Sequence, residues 1–528
     1  MSKAKKIVAL LCILVLVVGT LAACADNGNK NTSNNKGDNA VVDEKKAAEV
    51  TAETPAETPA EPFKLTIMAN LHSPEVPSDK IEKMIEEITN TDLTIQWVPD
   101  GNYDEKLNTS FATGTMPQAT YLRNINSFGM FKDAIRNDQF WEVGPLLDEY
   151  ENLSKLKDSV LKNTSVDGKI YSLYQGRPLS RQGLIYRKDW ADQLGLAAPT
   201  TTVELLEMAK QFTENDPDQN GKNDTIGLAD RADLVYGAFK TISSWFGTPN
   251  NWGEKDGQLQ PEFTFPEYFD TMDFVKTLHT NKYMNQDFPV ASKTDQQAMF
   301  KNGTAGMYIG SMADVLSLHK DAIALNPKLV YDVQNRIAAP GKEHGVWSIP
   351  GYGTVILFPK SAVKDEAELK QILSFFDHFM APEVANLVNW GVEGEHYKVS
   401  ADGKFADTAG FDADVKNREV QAYLALEIGE PSSNGRFNGV FNYDTKGKAE
   451  ELILDNDTIL IHDPTAPLES ATYIEKGAAI YKLIQDATYQ YMLGSIDKAG
   501  FEAAVENWKN QGGQQIIEEF NASWADSK

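Results

Sequence analysis

Cysteine is almost absent. The 528 residues hold two, Cys12 and Cys24, both near the N-terminus. No disulfide can staple the body of the protein, and a chain this long buries enough apolar surface without one. Positive charge is scarce: 50 Lys and Arg stand against 76 Asp and Glu, a net charge of −26. That balance excludes nucleic-acid binding, which needs clustered cations against phosphate. It also excludes electrostatic docking on an anionic membrane and weighs mildly against a polyanionic ligand. The usual signatures of hydrolytic and nucleotide chemistry are missing, with no G-x-S-x-G, no H-E-x-x-H and no P-loop. The seven histidines show no metal-ligand spacing. The apolar run at residues 7–18 is shorter than the roughly 20 residues a membrane span requires. No repeat of solenoid period is present.

What the N-terminal end does contain is ordered in a telling way. Lys3, Lys5 and Lys6 precede the uncharged apolar run, which has the length of a signal-peptide core. It ends in Leu21-Ala22-Ala23-Cys24. This tetrapeptide resembles the lipobox of bacterial lipoproteins, which implies lipidation of Cys24 and removal of residues 1–23. An ordinary secretory signal cut after an A-x-A site is the alternative. Residues 25–62 are rich in Asn, Ala, Glu, Thr and Pro and include the repeat Ala-Glu-Thr-Pro-Ala-Glu-Thr-Pro-Ala-Glu at 52–61. Such a segment has too little apolar surface to offset its ordering entropy and reads as a flexible tether.

Regular patterning begins at Phe63. Leu65 and Ile67 alternate with polar neighbours, Ile81, Met84, Ile85 and Ile88 mark one helix face, and Leu93, Ile95 and Trp97 alternate again. Strand, helix and strand in this space make a βαβ unit with parallel strands. Ligands of open α/β sheets bind at strand carboxyl ends, so the turn at residues 69–73 is a candidate ligand-facing loop. Further strands are expected at 184–187, 304–310 and 355–358. Thr201 with Glu204 forms a capping box ahead of a helix. From Tyr473 the pattern is helical almost to the end. Roughly 465 residues beyond the tether exceed a single core, so two lobes are expected.

The segment Asp216-Pro217-Asp218-Gln219-Asn220-Gly221-Lys222-Asn223-Asp224-Thr225 places oxygen side chains at loop positions 1, 3, 5 and 9, with Gly at 6. This is the first half of an EF-hand calcium loop, in which alternate residues of a tight turn offer hard oxygen donors. Asp216, Asp218, Asn220, Asp224 and the Lys222 carbonyl are the candidate ligands. Gly227 stands where the loop normally carries its bidentate Glu, so Thr225 or a distant carboxylate would complete the shell. A plain Asp/Asn/Gly turn accounts for the same composition. Any calcium bound here would be structural.

Several stretches, taken in order, resemble one family. Gly168-Lys169-Ile170-Tyr171-Ser172-Leu173-Tyr174 resembles the G-K-x-Y-x-L-P motif of carbohydrate-type extracellular solute-binding proteins. Residues 184–201 look like the R-K-D-W-x-x-x-L-G-L-x-x-P-T run of that family's large Gram-positive lipoproteins. The calcium-like loop follows where they carry D-P-D-G-N-G, with Gln219 here in place of the first Gly, and alginate-binding members hold calcium in a similar loop. Trp245-Phe246-Gly247 with 249–252, 303–307 and 390–397 are similar to further motifs.

The resemblance implies a periplasmic-binding-protein-like α/β fold of two lobes. An N-terminal lobe of residues 63–176 plus 340–390 and a C-terminal lobe of 177–339 plus 391–528 are expected. The chain is expected to cross between them near 174–180, 337–345 and Trp390, with the ligand in the cleft. The implied function is that of a monomeric, lipid-anchored substrate-binding protein on the outer face of a Gram-positive membrane. It would capture a sugar or oligosaccharide for an ABC permease and perform no catalysis.

Sugars offer C–H faces to aromatic rings and hydroxyls to polar side chains. The candidate ligand-binding residues are therefore Trp245, Trp252, Trp347 and Trp390 for stacking, Arg177 and Tyr174 at the first crossing, and Asn70, Tyr121, Tyr308 and Glu393 from loop ends and family position. Core packing is the competing role for every ring, and Trp97, Trp141 and Trp190 fit it better. A secreted glycan hydrolase working through paired carboxylates, or a binding protein for a peptide, is the alternative function.

Overall fold

The computed structural model describes residues 61–73, 75–123 and 125–526. The expected signal peptide, Cys24 and all but the last two residues of the tether lie outside them. In chain order the strands are β1 (Phe63–Leu71), β2 (Thr91–Pro99), β3 (Ala119–Leu122), β4 (Ser172–Gly176), β5 (Gln182–Arg187), β6 (Ile226–Ala229), β7 (Trp252–Lys255), β8 (Gln258–Pro261), β9 (Ala305–Ser311), β10 (Tyr331–Gln334), β11 (Val346–Trp347) and β12 (Tyr352–Leu357).

The first sheet has the order β2-β1-β3-β12-β4. β1 and β2 run parallel with Leu65 opposite Leu93 and Ile67 opposite Ile95, as the alternation predicts. Helix Lys80–Thr89 joins them and buries Ile81 and Ile85 completely. β12 enters antiparallel between β3 and β4. One core surrounds this sheet, from Leu65 through Ile428.

The second sheet has the order β10-β5-β9-β6, with β6 parallel to β9 and the other pairs antiparallel. Successive strand residues point to opposite faces, and each face has its own core. Leu184, Met307 and Ile309 meet helices Thr202–Glu214 and Ala238–Trp245. Ile185 and Tyr308 meet helices Val315–Ala322 and Asp444–Asp455. The capping box forms as expected, with Thr201 Oγ accepting from Glu204 N–H at 3.1 Å and the Glu204 carboxylate from Thr201 N–H at 3.0 Å. The C-terminal helical run is interrupted near Gly512 and closes over the first of these cores through Phe501, Trp508, Ile516 and Phe520.

These cores draw the boundary between the bodies differently from the sequence expectation. Val420, Tyr423, Leu426 and Ile428 belong to the first core, and Val440 N–H still bonds Ala406 O. Tyr443 is the first later residue packed on the second body. The third crossing therefore falls after Val440 and not near Trp390, because helix Pro382–Trp390 packs into the first core and the chain beyond it folds back. The second crossing falls at 348–352, since Trp347 N–H still bonds Ser244 Oγ in the second body. The first lies between Leu179 and Leu184.

Close packing in the second body gives a test. A Cβ on Gly306 would lie 2.2 Å from the Phe212 ring and 2.9 Å from that of Trp190, whereas Gly447 faces open space on a helix. Gly306→Ala is expected to lower stability by about 1–3 kcal/mol. Gly447→Ala is expected to raise it by up to about 1 kcal/mol. Urea unfolding followed by tryptophan fluorescence measures both.

Candidate functional site

The strand directions place the site. β4 leaves the first sheet at its carboxyl end and the chain enters β5 at its amino end. β9 and β10 run antiparallel to β5, so the carboxyl ends of β9, β10 and β6 are turned toward this crossing. The carboxyl ends of β1–β4 meet it from the other side. Two sets of strand ends thus face one another across the crossings. In the first sheet the parallel strands β1 and β3 lie side by side while β2 was added on the far edge of β1, so the strand order reverses between β1 and β3, a topological switch point of the kind where α/β sheets bind ligands.

On the first body, four half-exposed polar groups gather there. Asn70, buried at the end of β1, donates from Nδ2 to Asp100 Oδ1 at 3.0 Å and to His72 Nε2 at 2.7 Å. Asp100 follows β2 and lies 3.1 Å from Arg123 Nη1, just after β3. Arg123 also donates to both oxygens of Asp104 at 3.2 and 2.9 Å, and this pairing holds its guanidinium firmly protonated. Tyr103 O–H reaches the carbonyls of Met68 and Tyr121, pinning the helix that carries Asp104 to the sheet. His72, Asp100, Asp104 and Arg123 keep between 27% and 52% of their side chains exposed, so they are oriented yet open to solvent.

On the second body, the loop after β6 carries Asp230, Arg231 and Tyr236. Asp230 Oδ1 accepts from Ala238 N–H at 2.9 Å, and burial pushes its carboxyl up to about 7. Arg231 is held by Gln296 Oε1 at 2.9 Å and by the Tyr236 carbonyl. This fixes the backbone beneath the Tyr236 ring, which is 52% exposed and packs edge-on against Trp347 at 5.6 Å. Trp347 is itself buried, its Nε1 donating to Thr241 Oγ1 at 3.1 Å. At the crossing, Arg177 is exposed and its guanidinium lies across Gly353, where a Cβ would come within 2.4 Å of Nε.

The structure sorts the sequence candidates. Asn70 and Arg177 stand at the facing strand ends, and Trp347 backs Tyr236. Tyr121, Tyr174, Trp245, Trp252 and Tyr308 are corrected to core residues, all 6% exposed or less. Tyr121 O–H donates to Leu426 O, Tyr308 O–H to Asp314, and Tyr174 O–H to Glu430 while accepting from Lys157 N–H. Trp245 packs in the second core, and Trp252 meets Phe520 edge-on at 5.0 Å. Trp390 lies under the Lys416 ammonium at 4.3 Å and donates to Phe437 O, while Glu393 sits on an exposed turn of the first body. His72 lies in the turn at 69–73 that the sequence nominates as ligand-facing, whereas Asp100, Asp104, Arg123 and Tyr236 were missed. Asp100 and Arg123 had one signal, position immediately after a strand, while Asp104 lies in the following helix and Tyr236 seven residues beyond β6. A surface hollow of about 330 Å³ lies between β2 and helix Tyr103–Ala112, and no residue of the second body lines it.

The calcium-like loop closes on itself. Asn220 N–H donates to Asp216 and Asp218, Gly221 N–H to Asp216, and the Asn220 amide to Asp218 at 2.8 Å and Asp224 at 3.0 Å. Burial and the neighbouring Asp216 and Asp224 push the Asp218 carboxyl up. No ion pair among the described residues relieves these three acids, and an amide donor occupies the place between two of them. Their crowding fits a hard cation, although no three His, Cys, Asp or Glu side chains among the described residues form a ready metal group. Thr225 is turned away, its buried hydroxyl donating to Phe212 O at 2.8 Å. A side chain at 227 is precluded, since a Cβ there would lie 2.5 Å from the Ala209 backbone. Gln219 adopts φ +57°, a conformation that Gly takes without strain.

Residues 75–386 match the family described as bacterial extracellular solute-binding protein. The chain is 41% identical over 522 residues to the polygalacturonan/rhamnogalacturonan-binding protein YtcQ of Bacillus subtilis, covering 98% of this chain and 99% of that protein. It is 34% identical over 475 residues to lipoprotein LipO of the same organism, covering 88% and 93%. An HMO-binding, ABC-transporter-associated solute-binding protein from Bifidobacterium longum infantis superposes with a TM-score of 0.64 at 17% identity, covering 88% of this chain and 99% of that one. The fold is shared with that solved structure, and the chain belongs to the bacterial extracellular solute-binding protein family.

Proposed function

We propose that this protein is the lipid-anchored substrate-binding component of an ABC importer, and that it closes on an acidic oligosaccharide of the pectin class and delivers it unaltered to a permease. The carrying observation is the pair of facing strand-end sets. One offers His72, Asp100, Asp104 and Arg123 to hydroxyls, and the other offers the exposed Tyr236 ring to a sugar face. Near-full-length similarity to a polygalacturonan/rhamnogalacturonan-binding protein supports the acidic class. The net charge of −26 does not oppose it at contact range. Arg177 and Arg181 lie at the first crossing with no ion pair within 4.0 Å among the described residues, Arg177 facing the Glu427 carboxylate only at longer range, while distant carboxylates are screened beyond about 10 Å. The Leu21-Ala22-Ala23-Cys24 segment supplies the anchor in this reading. Among the described residues, no helix is long and apolar enough to cross a membrane.

In the same reading, Asp216, Asp218, Asn220, Asp224 and the Lys222 carbonyl hold calcium, which would neutralise the crowded acids and tie the loop after helix Thr202–Glu214.

Isothermal titration with oligogalacturonates, rhamnogalacturonan fragments and neutral oligosaccharides of equal length tests the ligand. Acidic fragments are expected to bind and to be recovered intact. Tighter binding of the neutral set rejects the acidic class, and release of new reducing ends rejects the binding role. Tyr236→Ala is expected to weaken affinity about 3- to 10-fold through lost stacking. For the metal, added Ca²⁺ is expected to raise the thermal midpoint, EDTA to reverse this, and Asp218→Asn to abolish it. A midpoint indifferent to both reagents removes the site.

A further inference from the structure

Away from the crossings, charge joins the two bodies at one place. Glu469 belongs to the second body: its neighbour Leu468 lies in that core, and its backbone N–H donates to Ser523 Oγ at 3.2 Å. Its carboxylate receives two cations from the first body. Lys132 Nζ lies 3.1 Å from Oε1, and Arg136 pairs with Oε2. Both cations stand on helix Ile125–Arg136, whose Phe128, Phe131 and Ile135 are built into the first core. Asp133 and Asp167 hold Arg136 at 3.0 and 3.2 Å, so the first body sets its guanidinium in place. The Lys132, Arg136 and Glu469 side chains are only 21–30% exposed.

One other ion pair joins the bodies among the described residues, Lys157 with Asp457 at 2.8 Å. It sits at the pivot, because the adjacent Asn456 donates from Nδ2 to the crossing carbonyls of Ser180 and Gln182. Rotation about a pivot changes distances there least. Among the described residues, no hydrogen bond ties Lys132, Arg136 or Glu469 to the crossing segments, so rotation of the bodies about the pivot would change the separation of these three groups more than that of Lys157 and Asp457.

We propose that Glu469, clasped by Lys132 and Arg136, is a latch that favours the closed arrangement before ligand arrives. The proposal rests on the cleft being the ligand site. A contact present only in the closed form adds its strength to the open–closed equilibrium, and the ligand then spends less of its binding energy on closure. Two cations on one carboxylate, partly shielded from water, do this better than a single exposed pair.

Small-angle X-ray scattering of the ligand-free protein tests the latch without any sugar. At low ionic strength Glu469→Gln is expected to have a larger radius of gyration than wild type. Lys132→Met, altered on the opposite body, is expected to reproduce the expansion. High salt is expected to bring wild type to the same value. Lys301→Met, which breaks a 2.9 Å pair with Asp321 inside the second body, is expected to leave the radius unchanged. Scattering of Glu469→Gln or Lys132→Met that superimposes on wild type overturns the proposal, as does equal expansion in Lys301→Met. With oligogalacturonate as probe, Glu469→Gln is expected to weaken affinity about three- to fivefold. If the probe does not bind wild type, the ligand reading fails while the scattering still decides the latch.

Discussion

Three extended segments join the two bodies, and their hydrogen bonds hold the strand ends face to face. The first two run side by side, with Arg177 N–H donating to Gly351 O at 2.8 Å and Ile349 N–H to Leu179 O at 2.9 Å. The approach to the third lies along the outer edge of β4, through Gly176 N–H to Gly429 O and Gly429 N–H to Tyr174 O. The Tyr174–Glu430 bond and the Asn456 amide lock these segments to one another. Because the links are backbone ladders, they join the bodies without disturbing the register of either sheet.

From that arrangement follows a division of labour among side chains. Residues within strands fill cores, and residues just past strand ends meet solvent. Asn70 is buried yet bonds His72 and Asp100, so it transmits the rigidity of β1 to groups that remain accessible. Tyr236 is exposed yet rests on Trp347, whose indole is anchored in the second body. Oriented but open groups lose little freedom on binding, which is what tight capture requires.

Charge works on two length scales here. The large acidic excess governs solubility and long-range repulsion. In the proposed site, recognition falls to a few guanidiniums and carboxylates whose partners are set by the local fold. The acidic loop at 216–225 is a third case, where neighbouring carboxylates crowd one another because a tight turn brings alternate residues inward.

The sequence by itself determined the local elements and the family. The βαβ opening, the capping box at Thr201 and Glu204, the strands near 184, 305 and 355 and the ordered motifs all rest on periodicity or short-range bonding, which a chain states within a few residues. Only the tertiary structure decided which rings are walls and which are core. Tyr121 and Tyr308 lie in strands covered on both faces, and Trp245 and Trp252 flank a Gly- and Asn-bearing turn, at a helix end and a strand start that the second core encloses. Burial of this kind is set by segments hundreds of residues away. The same cause moved the third crossing past Val440, since only packing on the first sheet shows that residues 391–440 fold back. It also brought Glu469 to Lys132 and Arg136, a meeting across more than three hundred residues that no local pattern encodes.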